Sequence, residues 1–270
     1  MTPATLIIDV DLEAVDHLSG RLWALGTIGV QEQQNTDGTA RLLAGFEDER
    51  GAANARKAIG DGVVELVTSD EWLDAWQEFA NIARAGSRFV IRPSWLEYEV
   101  APGEVVLHVD PGRAFGSGSH ATTRMCLETL EGLLEGDERV LDVGCGSGLL
   151  SIGAARIGAT RVDAVDIDPR ARVAAIANAA RNGVSSLVNV RDEDLSALSG
   201  EYDVIVANIL APTLIELAPT LAGLLSPRGR IVLSGILDSQ VSEVVKAHGE
   251  LAELARTSED QWVCVVVGHR

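Results

Sequence analysis

Three short stretches of this chain hold residues whose types and spacing could do chemistry. The first is Asp142-Val-Gly-Cys-Gly-Ser-Gly148, which ends the apolar run Arg139–Gly144 and leads into a helical pattern beginning near Leu149. Glycines let the backbone bend sharply and leave room for a ligand to approach it closely. Their spacing is G-x-G-x-G. A dinucleotide fingerprint needs G-x-G-x-x-G, but counting from Gly144 its last position is Leu149, and counting from Gly146 it is Ser151. The turn therefore reads as a ligand-binding bend without the pyrophosphate fingerprint, which disfavours a dehydrogenase. The second stretch, Val165-Asp-Ile-Asp168, follows about one strand–helix unit later. An acid at that strand end can accept two hydrogen bonds from a ribose diol. Asp166 is the candidate, with Ile167 beside it, because Asp168 directly precedes Pro169 and is placed to cap the next helix.

The third stretch, Val109–Thr123, is richer in Gly, Ser and Thr than a connection requires, and it runs into an apolar-sided helix over Thr122–Leu134. Backbone amides and Thr hydroxyls at a helix start suit a carboxylate. A plain loop with capping threonines is the alternative. Within the stretch, Phe115 is placed either to cover a bound ligand or to plug the core. His120, whose ordinary pKa suits proton removal near neutrality, is a candidate general base or a helix cap. Further on, Tyr202–Asn208 is an apolar strand that ends in a polar Asn208, followed by Ile-Leu-Ala-Pro212. Asn208 could hold an amine, with the Ile209 and Leu210 carbonyls beside it, or could serve a bound ligand only.

The elements that must position these residues fall into two patterns. From Arg139 onward strands and helices alternate, with strands at Arg139–Gly144, Arg161–Asp168, Leu187–Arg191, Tyr202–Asn208 and Arg230–Ile236, and helices at Pro169–Asn182 and Pro212–Leu224. Repeated β-α units imply a doubly wound, mostly parallel sheet covered on both faces. Leu251–Thr257 and Trp262–Gly268 end the chain as an antiparallel pair, so the last strand should run against the rest. The first 68 residues read β-α-β-β-α-β, a small ferredoxin-like α+β domain, with an Asn-Thr-Asp-Gly turn in its hairpin. Residues 69–100 read as a connecting helix, with Trp72, Trp76 and Phe79 on one face, and a lead-in strand. Residues 101–270 form the larger domain.

Composition bounds the rest. With 270 residues, 46% of them hydrophobic, the chain can fill one full core and a smaller one. A net charge of -18 disfavours direct nucleic-acid binding and would attract a basic protein, although acidity also serves solubility. No apolar run is long enough for a membrane span, and the N-terminus lacks the basic region of a secretory signal. Cys126, Cys145 and Cys264 have no metal-ligand spacing, as in a reduced cytoplasmic protein. A monomer is expected.

Together these stretches resemble the ribosomal protein L11 methyltransferase family. Asp110-Pro-Gly-Arg-Ala-Phe-Gly-Ser-Gly-Ser-His-Ala-Thr-Thr123 is similar to that family's D-P-G-x-A-F-G-T-G-T-H-x-T-T signature, with Ser117 and Ser119 in place of Thr. Val140–Gly148, Asp166-Ile-Asp-Pro169, Ala207-Asn-Ile-Leu-Ala211 and Leu233-Ser-Gly-Ile236 also resemble family segments. The resemblance covers residues 70–270 well and the first 70 only in element order. It implies a class I methyltransferase sheet using S-adenosylmethionine, with Thr123, Gly144, Asp166 and Asn208 at the cofactor; Phe115, Gly146 and Ile167 are further candidates beside them. It also implies methylation of the α-amino group and Lys side chains of a small basic ribosomal protein, L11, recognised by the N-terminal domain. Two rivals are a lysine methyltransferase acting on another protein and a non-catalytic cofactor-binding interaction protein.

Overall fold

The computed structural model describes residues 4–27, 29–35, 38–46, 48–66, 81–110, 118 and 120–270. The chain divides into two compact units, Met1–Ala80 and Asn81–Arg270. The expected connecting helix with Trp72, Trp76 and Phe79 lies outside the described residues, as does the middle of the hairpin turn.

In the first unit, β1 (Ala4–Asp11) leads through a short 3-10 turn into α1 (Val15–Ala24), β2 (Gly29–Gln34), β3 (Thr39–Phe46), α2 (Glu49–Ile59) and β4 (Val63–Leu66). The sheet order is β2-β3-β1-β4, and every pairing is antiparallel. That is the ferredoxin-like arrangement expected from the β-α-β-β-α-β order. Leu6, Ile8, Leu22, Leu42 and Phe46 fill its core. The buried Ala52 and Ala55 are small, so α2 can lie close to the sheet, and the Asp48 side chain caps it by accepting the Gly51 amide at 2.8 Å.

The second unit begins with β5 (Ala83–Ala85), β6 (Phe89–Pro93) and β7 (Val105–Val109), a small sheet of its own in that order. After α3 (Ala121–Leu133) the alternation starts: β8 (Arg139–Val143), α4 (Leu149–Arg156), β9 (Arg161–Val165), α5 (Pro169–Arg181), β10 (Val188–Arg191), β11 (Tyr202–Asn208), α6 (Ala211–Gly223), β12 (Leu225–Leu237), α7 (Val241–Ala247), β13 (Ala252–Glu259) and β14 (Trp262–Gly268). The order across the sheet is β10-β9-β8-β11-β12-β14-β13. Neighbours are parallel from β10 through β12, and β14 runs antiparallel to both β12 and β13. The last strand is thus the reversed one, as expected, and it is inserted between β12 and β13.

Alternate strand residues face opposite ways, so the sheet separates two cores. Val140, Val204, Val206 and Val232 join one with α3, α4 and α5, while Leu141, Ile205, Ala207 and Ile231 join the other with α6 and α7. Strands buried on both faces are mostly apolar, which is why β11 carries the run Val204–Ala207, while within Val140–Val143 of β8 only the buried Asp142 departs from this. Between those two strands the chain order reverses: β9 and β10 lie to one side of β8, and β11 and β12 to the other. In such sheets the crevice beyond the strand C-termini at that reversal is where ligands bind.

Candidate functional site

The turn after β8 is built at this reversal. Gly144, Gly146 and Gly148 adopt φ values of 73°, 54° and 80°, left-handed backbone that side chains other than glycine resist. The Gly144 and Cys145 amides both donate to the Val165 carbonyl, at 2.9 and 3.0 Å, tying the turn to the end of β9. Asp166 completes that tie. Its Oδ2 accepts the Gly146 amide at 2.9 Å, and its Oδ1 accepts the Asp168 amide at 2.9 Å. Each carboxylate oxygen has two lone pairs, so each can still accept one hydroxyl of a diol. Asp168 caps α5 through the Arg170 amide at 2.8 Å, the role its place before Pro169 implies. Ile167 projects between the two acids and is 99% exposed, an apolar surface with no partner among the described residues.

Asn208 ends β11 across the reversal from this turn. Its Nδ2 donates to Thr123 Oγ1 over 3.5 Å, bringing together two residues that are 85 positions apart. Asn208 Oδ1 is left as an acceptor among the described residues. The carbonyls after it are differently engaged. The Leu210 carbonyl begins α6 and accepts the Thr213 and Leu214 amides at 3.0 and 3.1 Å. The Ile209 carbonyl faces Gly235, where an added Cβ would stand 2.6 Å from it. The Leu210 carbonyl is thus taken up by the helix, while Asn208 Oδ1 and the Ile209 carbonyl stay as candidate acceptors for an amine.

His120 is the N-cap of α3. Its Nδ1 accepts the Thr122 amide at 3.3 Å and lies 2.8 Å from Thr122 Oγ1, while its ring meets Trp262 edge-on at 5.1 Å between centroids. Burial, with Arg124 nearby, pushes the imidazole down to about 4. Thr122 and Thr123 are buried behind it. Phe115 and most of its loop, 111–117 and 119, lie outside the described residues.

The family model described as Ribosomal protein L11 methyltransferase (PrmA) matches residues 31–270. The chain belongs to the ribosomal protein L11 methyltransferase family. A relative of that name from Geotalea uraniireducens is 42% identical over 234 residues, spanning 82% of this chain and 74% of its own length. Another from Pelotomaculum thermopropionicum is 40% identical over 256 residues, spanning 94% of this chain and 79% of its own. The crystal structure of a ribosomal protein L11 methylase from Lactobacillus delbrueckii subsp. bulgaricus superposes with a TM-score of 0.66 at 31% identity, covering 70% of this chain and 98% of that one. The chain is accordingly an S-adenosylmethionine-dependent protein methyltransferase with a class I sheet.

The residues present fit that methyl donor. Asp142, just before the glycine turn, is 1% exposed, and its Oδ1 has no hydrogen-bond partner, although Oδ2 accepts the Ser151 amide at 3.0 Å and the Ser151 hydroxyl. An orphaned buried acceptor beside an open turn suits a cationic, N–H-bearing ligand end. Asp166 suits a diol, and the bare Ile167 side chain suits the face of a base. A covalent route has little support: burial pushes the Cys145 thiol well up, so it carries no thiolate near neutrality.

Asn178 was not legible as part of the site. It is fully buried on α5, where its Nδ2 donates to the Ser147 carbonyl at 2.9 Å and to the Asp110 carbonyl at 3.0 Å. Its Oδ1 accepts the Asp110 amide at 3.1 Å. One amide thus pins the glycine turn to the start of the Asp110–Thr123 segment. The signal was present: Ala171, Ala175 and Asn178 share the buried stripe of α5, and a polar residue on such a stripe must be satisfied by something.

Proposed function

We propose that this chain transfers methyl groups from S-adenosylmethionine to amino groups of a basic protein, ribosomal protein L11, at its α-amino group and Lys side chains. Asn208 carries the amine reading: a side-chain acceptor stands at the end of β11, at the sheet reversal, with its amide turned toward Thr123. Asp166 accepts the ribose diol, Ile167 lies under the adenine, the Gly144–Gly146 backbone borders the donor, and Thr123 with the segment around Phe115 meets its methionine end.

The bound donor supplies an electrophilic methyl on sulfur. The amine nitrogen's lone pair forms the new N–C bond as the C–S bond breaks, and the sulfonium leaves as a thioether. The amine must be neutral to attack, whereas free amines titrate at roughly 8 for an α-amino group and roughly 10.4 for Lys. Desolvation favours the neutral form, and water removes the proton. Asn208 Oδ1 accepts an N–H of the amine and so aims the lone pair, since in-line positioning supplies most of the remaining rate. His120 holds the start of α3; a ring titrating about 4 is poorly matched to an amine proton.

The N-terminal unit recognises the substrate, and the net charge of -18 favours a basic partner over nucleic acid. In this reading the chain acts as a monomer in the cytoplasm, without direct contact with nucleic acid or membrane. Labelled S-adenosylmethionine incubated with this protein and a lysate lacking it tests the assignment: label on ribosomal protein L11 supports it, and label on another protein alone transfers the activity to that substrate.

A further inference from the structure

Leu233-Ser-Gly-Ile236 lies in β12, next to β11, and the proposed reading gives it no task. The strand is irregular there. Its pairing with β14 runs through Leu233 opposite Val265 and resumes at Ile236 opposite Val263, so β12 carries one extra residue. Such a bulge bends a strand and re-aims what lies beside it. Gly235 occupies it with φ of 80°, and a Cβ there would stand 2.6 Å from the Ile209 carbonyl oxygen and 3.0 Å from both its carbonyl carbon and its nitrogen.

Ile209 is held from both directions. Its amide donates to the Ser234 carbonyl at 3.2 Å, and its side chain presses on the glycine turn, where a Cβ on Gly144 would come within 2.4 Å of Ile209 Cγ2. The bulge in turn is pinned to β14, because the fully buried Ser234 hydroxyl donates to the Val263 carbonyl at 2.9 Å. Ile209 is therefore clasped with its backbone on Gly235 and its side chain on Gly144, and the residue bonded to it is Asn208.

We infer that the Ser234–Gly235 bulge is a positioning device for the acceptor amine, fixing Asn208 through the backbone of Ile209. The inference rests on the reading that Asn208 holds the amine. Any Cβ at position 235 must push the Ile209 peptide away by several tenths of an ångström, and Asn208 moves with it. Asp166, at the end of β9, lies outside this clasp and holds the Gly146 amide in place. The displacement falls on acceptor geometry, where roughly 1 Å of misplacement can cost about 100-fold in rate.

The test uses the full chain with Gly235→Ala, Ser234→Ala, Asn208→Ala and Gly183→Ala. The last is a control for backbone strain alone, since Gly183 has φ of 71° with nothing within 4 Å of an added Cβ. Rates are measured on ribosomal protein L11, or on whichever lysate protein the labelling identifies, alongside donor affinity and the thermal midpoint. Gly235→Ala is expected to lower kcat by about 10- to 100-fold while the donor Kd stays within about two-fold. Ser234→Ala, which adds no atom, should lower kcat less and in the same pattern, and Gly183→Ala should match the unaltered protein in kcat and donor Kd, its strain showing only in the thermal midpoint. An unchanged kcat in Gly235→Ala overturns the inference, as does a loss of donor affinity as large as the loss of rate. Where Gly235→Ala does not fold, an unchanged kcat in Ser234→Ala overturns it. If Asn208→Ala is inactive while Gly235→Ala is fully active, only this inference falls. If Asn208→Ala is as active as the unaltered protein, the amine reading falls with it.

Discussion

The Gly146 amide donates to Asp166 Oδ2 across 2.9 Å, joining the turn after β8 to the acid at the end of β9. One carboxylate therefore shapes the glycine turn and, in the proposed reading, also presents lone pairs to the donor. Asp166→Ala should raise the dissociation constant for S-adenosylmethionine by about 10- to 100-fold, the worth of one or two hydrogen bonds to a charged group. Asp166→Asn, which keeps one acceptor oxygen, should fall between. Titration calorimetry reads both, and equal affinity in all three proteins would remove Asp166 from the donor site.

Asn208 should divide binding from turnover. Asn208→Ala is expected to lower kcat by about 100-fold or more with smaller change in donor affinity, because in the proposed reading its Oδ1 orients the amine. Thr123→Val removes the oxygen that Asn208 Nδ2 faces at 3.5 Å and should lower kcat more mildly, together with donor affinity, since Thr123 also meets the donor in the proposed reading. Loss of donor affinity without loss of kcat at saturation would make Asn208 a donor contact alone.

Much of this arrangement was legible in the sequence because it is local. β11 and β14 have the bounds that their apolar runs imply, and Pro169 and Asp168 mark the start of α5 as their positions suggest. What escaped depends on long-range pairing. The insertion of β14 between β12 and β13 is set by packing across the sheet, not by any residue in the strand itself. β5 is only Ala83–Ala85, and α7 is Val241–Ala247 without a side-chain cap, too short for a periodic signal. The meeting of Thr123 with Asn208 was implied only by resemblance. The bulge at Gly235 did leave a trace, since an isolated glycine within a strand pattern marks such a site.

His120 separates a base from a cap. With the imidazole at about 4, the ring is neutral throughout the range in which an amine substrate loses its proton. His120→Asn, which can still cap, should preserve the shape of the rate–pH profile, and His120→Ala should cost about 1 kcal/mol of stability through the lost cap. A shift of the acidic limb in His120→Asn would restore the general-base role.

Asp142 should make stability depend on pH. Burial pushes its carboxyl from 3.8 up to about 7. Between those values the folded chain keeps a proton that the unfolded chain has lost, so this group's contribution falls as pH rises through the window and levels off above it. Asp142→Asn cannot ionise. Without added donor, its thermal midpoint relative to the unaltered protein should rise between about pH 4 and about pH 7 and then level off. A pH-independent difference would contradict this.

A second buried carboxylate, Asp163 on β9, should matter for folding alone. Asp163 is fully buried in the middle of β9, accepting from Asn189 Nδ2 at 2.8 Å, Tyr202 Oη at 3.1 Å and Arg161 Nη2 at 3.1 Å. Those bonds outweigh its burial and hold the carboxyl below its ordinary value. Its stabilisation is present above the ordinary carboxylate range and is lost as pH falls through the lowered value. Asp163→Ala should cost about 1–3 kcal/mol in chemical denaturation, the penalty for leaving the buried Tyr202 hydroxyl without its acceptor, with donor affinity unchanged in the protein that remains folded.

The central claim is amine methylation of ribosomal protein L11, and the most direct measurement is mass spectrometry of purified, unmethylated L11 after incubation with this protein and S-adenosylmethionine. Whole-methyl mass increments, mapped by fragmentation to the α-amino group and Lys side chains and abolished in Asn208→Ala, are the expected result. L11 of unchanged mass, under conditions where the same preparation binds the donor, would contradict it.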